Sequence, residues 1–192
     1  MQLQTVLDKS ITQTAGVLRG VKPDQLSAAT PCADWDVRTL TNHLLQVVCA
    51  LELAGRTRQV PGELWGRDLI ADGWADGFHD QGRAAAAAWA ADTAWDGAVS
   101  MGESELPAPL IATMLAADLA IHGWDLARAT GQDYRCDDDV AEVTCGFVTD
   151  MGDQGRQLGI FAESRPVAQS APALQRALAL SGRDPGWTRP AA

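Results

Sequence analysis

Apolar side chains recur every three or four residues along most of this chain, and nowhere do they alternate long enough to demand a sheet. That period builds helices with one apolar face, and such helices bury their faces by packing into a bundle. In residues 2–19, Leu3, Val6, Leu7, Ile11, Thr14 and Leu18 share a face, and Pro23 follows as a stop. After the turn forced by Pro31, Asp36 is placed as the N-cap of a strong amphipathic helix carrying Leu40, Leu44, Val47, Val48 and Leu51, closed by Gly55. Residues 56–75 read as loop or short turns, and 76–92 as an alanine-rich helix. The "VSM" of residues 99–101 could be extended, but it is too short to require a sheet. Pro107 and Pro109 suit a helix entry, and a further helix runs to about Gly131. Residues 137–158 form another through Val140, Val143, Phe147, Val148 and Met151; 172–181 form a short last one. The expected fold is all-α: one domain over residues 1–192, a four-helix bundle of up-down type with one long crossover, plus short helices and loops.

Charge and cysteine use narrow the function classes. A formal net charge of −10 leaves no basic face for nucleic acid. No run of 18 apolar residues is present, so no membrane span is expected. The opening "MQLQTVLDKSITQTAG" lacks the basic-then-apolar order of a signal peptide, so a cytoplasmic location with reduced thiols is expected. Cys32, Cys49, Cys136 and Cys145 have no CxxC spacing, which argues against a zinc ribbon or a thioredoxin-type site. Tryptophan- and alanine-rich helix faces point to a homodimer.

The chemistry lies in "ADLAIHGWDLARAT", residues 117–130. Asp118 and His122 are four apart, one above the other on a helix face, within the stripe of Ile111, Leu115 and Leu126. His43 lies on the edge of the buried stripe of its own helix, three after Leu40 and four before Val47. Two facing helices could thus aim two imidazoles and one carboxylate at a shared interior point, which is how bundles build metal sites. Zinc, nickel, iron(II) or manganese would accept that set with positions left open, and the lack of thiolate ligands argues against a closed structural zinc. Spacing alone equally allows a buried, hydrogen-bonded Asp–His pair. Asp125, three after His122, is placed either to hydrogen-bond a ligand's second nitrogen or to pack. Trp35 and Asp36 organise the turn before the His43 helix, His79 faces solvent, and Arg128 sits near a helix C-terminus.

Three ordered blocks carry a resemblance. "TPCADWDVRTLTNHLL" resembles the T-P-C-x-D-W-x-V-x-x-L-x-x-H-L signature of a bacterial DinB-like metal-binding family. "DLAIHGWDLARATGQ" is similar to its second block, and "GRDPGW" to its closing one; together they span residues 30–187. The family is similar to the N-terminal domain of mycothiol-dependent maleylpyruvate isomerase, a bundle with a bound divalent metal. The resemblance implies that His43, Asp118 and His122 are the metal ligands, where many relatives carry Glu in place of Asp118. It implies a divalent metal, zinc first and nickel as the alternative, with mycothiol as a thiol cosubstrate. The isomerase's C-terminal domain is not expected here, so only the metal platform carries over. The expected function is a metal-dependent thiol transferase, or an isomerase or lyase acting by thiol addition, on a small-molecule substrate. The metal would hold the sulfur as a thiolate; the catalytic acid or base is not assigned. The alternative is a non-catalytic metal-binding or stress-associated protein that retains the site.

Overall fold

The computed structural model describes residues 2–190. Helix α1 spans Gln2–Arg19, α2 Val37–Thr57, α3 Trp74–Ala88, α4 Ala108–Thr130, α5 Asp138–Gln157 and α6 Ala173–Leu180. Both α1 and α2 pack against α3 and against α4. These four form the DinB-like bundle, with α1 opposite α2 and α3 opposite α4. Two connections therefore cross the bundle, where the sequence reading expected one. Helix α5 packs on α4 and α1, and α6 on α5.

The stripes behave as their spacing predicts. Leu40, Leu44, Val47, Val48 and Leu51 of α2 are all fully buried; each such side chain contributes about 1.5–3 kcal/mol relative to exposure. Asp36 caps α2 by accepting from the Thr39 amide at 2.8 Å. Helix α4 ends at Gly131, whose φ of 73° is a left-handed conformation that glycine adopts without cost.

Gly55 does not close α2. The helix runs on to Thr57 and ends at Arg58, at φ 60°. Gly55 is instead a point of close approach, where a Cβ would lie 2.8 Å from Trp89 Nε1. The fully buried Trp89 ring lies along α2 there and donates its Nε1–H to the Leu51 carbonyl at 2.8 Å. Trp89 also follows α3, which stops at Ala88 and not near residue 92.

A small sheet is present that the hydrophobic pattern did not demand. Strand β1 is Gln59–Val60, β2 Ala98–Met101 and β3 Ser104–Pro107, with β2 central, parallel to β1 and antiparallel to β3. Strands of two and four residues are too short to display an alternation.

Helix α4 is the centre of the fold. By length and composition it could cross a membrane, but 78% of its apolar window is buried inside the protein, as in a core helix. Of the faces on which the homodimer expectation rested, the tryptophans are drawn inward, while Ala84 and Ala87 of α3 stay exposed. None of the seven tryptophans is exposed, and among the described residues the exposed large apolar side chains are Leu158 and Ile160.

Candidate metal centre

The bundle brings His43 from α2 against Asp118 and His122 from α4. Asp118 bridges the two imidazoles: its Oδ2 lies 3.1 Å from His43 Nε2 and its Oδ1 3.2 Å from His122 Nε2. Burial pushes the Asp118 carboxyl up, but the facing His43 and His122 outweigh burial and hold it down at about 2. The donor atoms of the three residues all lie within 4.8 Å of one another. Ligand bonds of about 2.1 Å in tetrahedral geometry put neighbouring donors roughly 3.4 Å apart; each imidazole comes that close to Asp118, one to each carboxylate oxygen, so an ion would be held with both oxygens or with the carboxylate turned. Two imidazole nitrogens and one carboxylate also form a donor set that such ions accept.

His122 is oriented from behind. Its Nδ1 lies 2.9 Å from Asp125 Oδ2, and Asp125 is fully buried. The sequence reading allowed Asp125 this hydrogen bond or a packing role; the geometry brings it to the ring. Asp125 in turn meets Arg183, whose Nη2 and Nε lie 3.2 and 3.4 Å from the same Oδ2.

Aromatic rings wall the imidazoles. Trp35 stacks on His122 at 5.3 Å and tilts against His43 at 4.8 Å, while Trp65 lies 6.0 Å from His43. Trp35 also serves the turn as expected: its amide donates to the Cys32 carbonyl at 2.9 Å, and Thr30 Oγ1 donates to the Trp35 carbonyl at 2.8 Å. The Cys32 sulfur lies within 4.8 Å of donor atoms on His122 and Asp125. Burial pushes the Cys32 thiol up to about 11, with Arg183 pulling in the opposite direction.

Neither Trp65, Cys32 nor Arg183 was singled out as a site residue by spacing. Arg183 lies in the closing "GRDPGW" block, which is the one sequence signal that could have marked it. His79 is half-exposed beside Asp80 and away from the centre, as expected. Arg128 does more than sit near a helix end: its Nε and Nη2 donate to the Trp187 carbonyl at 3.0 and 2.5 Å.

The family model of the mycothiol maleylpyruvate isomerase N-terminal domain matches residues 7–127, more than half of the chain. An uncharacterized protein of Mycobacterium tuberculosis, found in two strains, is 31% identical over 175 residues, covering 88% of this chain and 91% of its own. The crystal structure of the mycothiol-dependent maleylpyruvate isomerase matches with a TM-score of 0.59 at 17% identity, over 80% of this chain and 71% of that one. A histidine-to-alanine mutant of that enzyme gives 0.58 at 15% identity over the same shares. At such identities the structural likeness speaks for the fold.

Proposed function

Because this chain belongs to the mycothiol maleylpyruvate isomerase N-terminal domain family, we propose that it is a metal-dependent enzyme acting with a thiol of the mycothiol type. His43, Asp118 and His122 hold a divalent ion, zinc first and nickel as the alternative. The reaction is thiol transfer to a small molecule, or thiol addition followed by isomerisation or cleavage.

The convergence of three donors from two facing helices carries this reading. Their side chains keep 18%, 26% and 10% exposure for His43, Asp118 and His122, so a small molecule can approach them. An ion bound there supplies one thing, a lowered pKa for a coordinated thiol whose free value is about 8.5. The protein residues do the rest. Asp118 contributes the negative charge, Asp125 orients His122, and Trp35 and Trp65 shield the imidazoles from water. Burial pushes the Cys32 thiol up in the metal-free protein, which disfavours it as a competing nucleophile there.

One observation favours the non-catalytic alternative. Beside the donors, Asp125 is tied to Arg183 and His122 and so does not stand free as a general base. Metal analysis comes first. Tag-free protein reconstituted with zinc or nickel and dialysed should retain near-stoichiometric metal, and His43→Ala only a trace. A wild-type protein that retains none overturns the metal reading. Metal-loaded protein that binds a thiol but consumes none with small electrophiles moves the conclusion to the alternative.

A further inference from the structure

The C-terminal segment lies beyond residues 7–127, which match the family model, yet it reaches the centre through one side chain. We propose that Arg183 is a positioning residue: through Asp125 it fixes the tautomer and direction of His122. The inference rests on the metal reading above.

Arg183 is buried, at 8% exposure, and is built into its segment. Its amide donates to the Leu178 carbonyl at 2.8 Å and its Nη1 to the Ser181 carbonyl at 3.3 Å. The other guanidinium edge, Nε and Nη2, faces Asp125 Oδ2. That same oxygen lies 2.9 Å from His122 Nδ1. A carboxylate only accepts, so each ring nitrogen faces a group that calls for a hydrogen; the shorter contact, to an Asp125 that is fully buried and held by Arg183, decides for Nδ1 over the 3.2 Å contact of Nε2 with Asp118, and the neutral ring then presents the lone pair of Nε2. Nε2 is the nitrogen that faces Asp118 and the candidate centre.

Asp125 needs Arg183 to do this. Its Oδ1 is buried without a described partner, and its surroundings are fully closed. Without the guanidinium the carboxylate keeps one donor in a buried place, which is a costly arrangement that no longer holds a single orientation. Partners of this kind, behind metal-ligating histidines, are worth about 10- to 100-fold in metal affinity.

Arg183 could instead only anchor the tail, and Arg128 separates the two roles. It grips the same segment through the Trp187 carbonyl and does not hydrogen-bond Asp125. The experiment compares Arg183→Met, Arg183→Lys and Arg128→Met. Zinc affinity is measured by chelator competition, and the His122 ring nitrogens by ¹⁵N NMR on zinc-free protein at alkaline pH.

Arg183→Met, acting one step behind Asp125, should weaken zinc by about 10-fold, the low end of what losing a ligating histidine's own partner costs, and turn a single Nδ1–H tautomer into a mixture. Arg183→Lys should recover part of both, because it restores the charge without the fork. Arg128→Met should lower the melting temperature and change neither. Wild-type tautomer and zinc affinity in Arg183→Met overturn the inference, as does an equal zinc loss in Arg128→Met. Should Arg183→Met not fold, wild-type values of both readouts in Arg183→Lys overturn it. The two readings fail separately: wild-type protein that binds no zinc sinks the metal reading, and a mixed His122 tautomer in metal-free wild type sinks this one.

Discussion

Asp118 Oδ2 stands 3.1 Å from His43 Nε2, joining the central helix α4 to α2 across the bundle. The contact makes the site pH-sensitive in the acid range. The Asp118 carboxyl is held at about 2 against an ordinary value of 3.8. A depressed carboxylate stabilises the fold above its unfolded pKa, and that stability is lost as pH falls through the folded value. Metal-free protein should therefore lose roughly 2 kcal/mol from this group between about pH 4 and pH 2. Urea unfolding across that range should show the loss in the wild type and a smaller slope in Asp118→Asn. Parallel pH profiles for the two proteins would contradict it.

Trp35 should report metal binding directly. Its ring touches both imidazoles, at 4.8 Å from His43 and 5.3 Å from His122. Cobalt, being paramagnetic, should quench part of the tryptophan emission on binding. In Trp35→Phe the quenched fraction should fall, with Trp65, 6.0 Å from His43, supplying the remainder, although cobalt still binds. Unchanged quenching in Trp35→Phe would place the ion elsewhere.

Gly55→Ala should destabilise the protein. The added Cβ would lie 2.8 Å from Trp89 Nε1 and 2.9 Å from the Ala88 Cβ, and the Trp89 ring is fixed by its bond to Leu51. Overpacking of this kind costs about 1–3 kcal/mol. A denaturation midpoint equal to that of wild type would show that the ring can shift freely.

Cys32 should alkylate slowly. With its thiol pushed up to about 11, few molecules carry the thiolate near neutral pH. Peptide mapping after iodoacetamide treatment at pH 8 should show Cys32 lagging a small free thiol, with a rate that climbs steeply above about pH 10. A rate at pH 8 matching the free thiol would contradict the buried setting.

The helices were legible in the sequence because they rest on local spacing, whereas spacing left Asp118 and His122 open to being a plain hydrogen-bonded pair and only the family resemblance assigned His43 with them as metal ligands. The α2 stripe, the Asp36 cap and the four-residue interval of Asp118 and His122 are each properties of a single helix. What surrounds the donors was not legible. Arg183 reaches Asp125 across 58 residues, and the Trp35 and Trp65 rings meet His43 only once the turn and loop have folded back. The sheet escaped because β1 and β2 are short and pair across a helix. Gly55 read as a stop because glycine ends helices more often than it makes room for a ring.

Cobalt spectroscopy with a thiol tests the central claim most directly. Three protein ligands leave a tetrahedral ion one position short, and the account places a thiolate there. Protein loaded with cobalt in place of zinc should develop a sulfur-to-cobalt charge-transfer band when a small thiol or mycothiol is added. The band should persist down to about pH 6, well below the free-thiol value of about 8.5. Asp118→Asn should shift or weaken it. A cobalt spectrum that ignores every thiol offered, while the metal stays bound, would contradict thiol chemistry and leave a metal-binding protein.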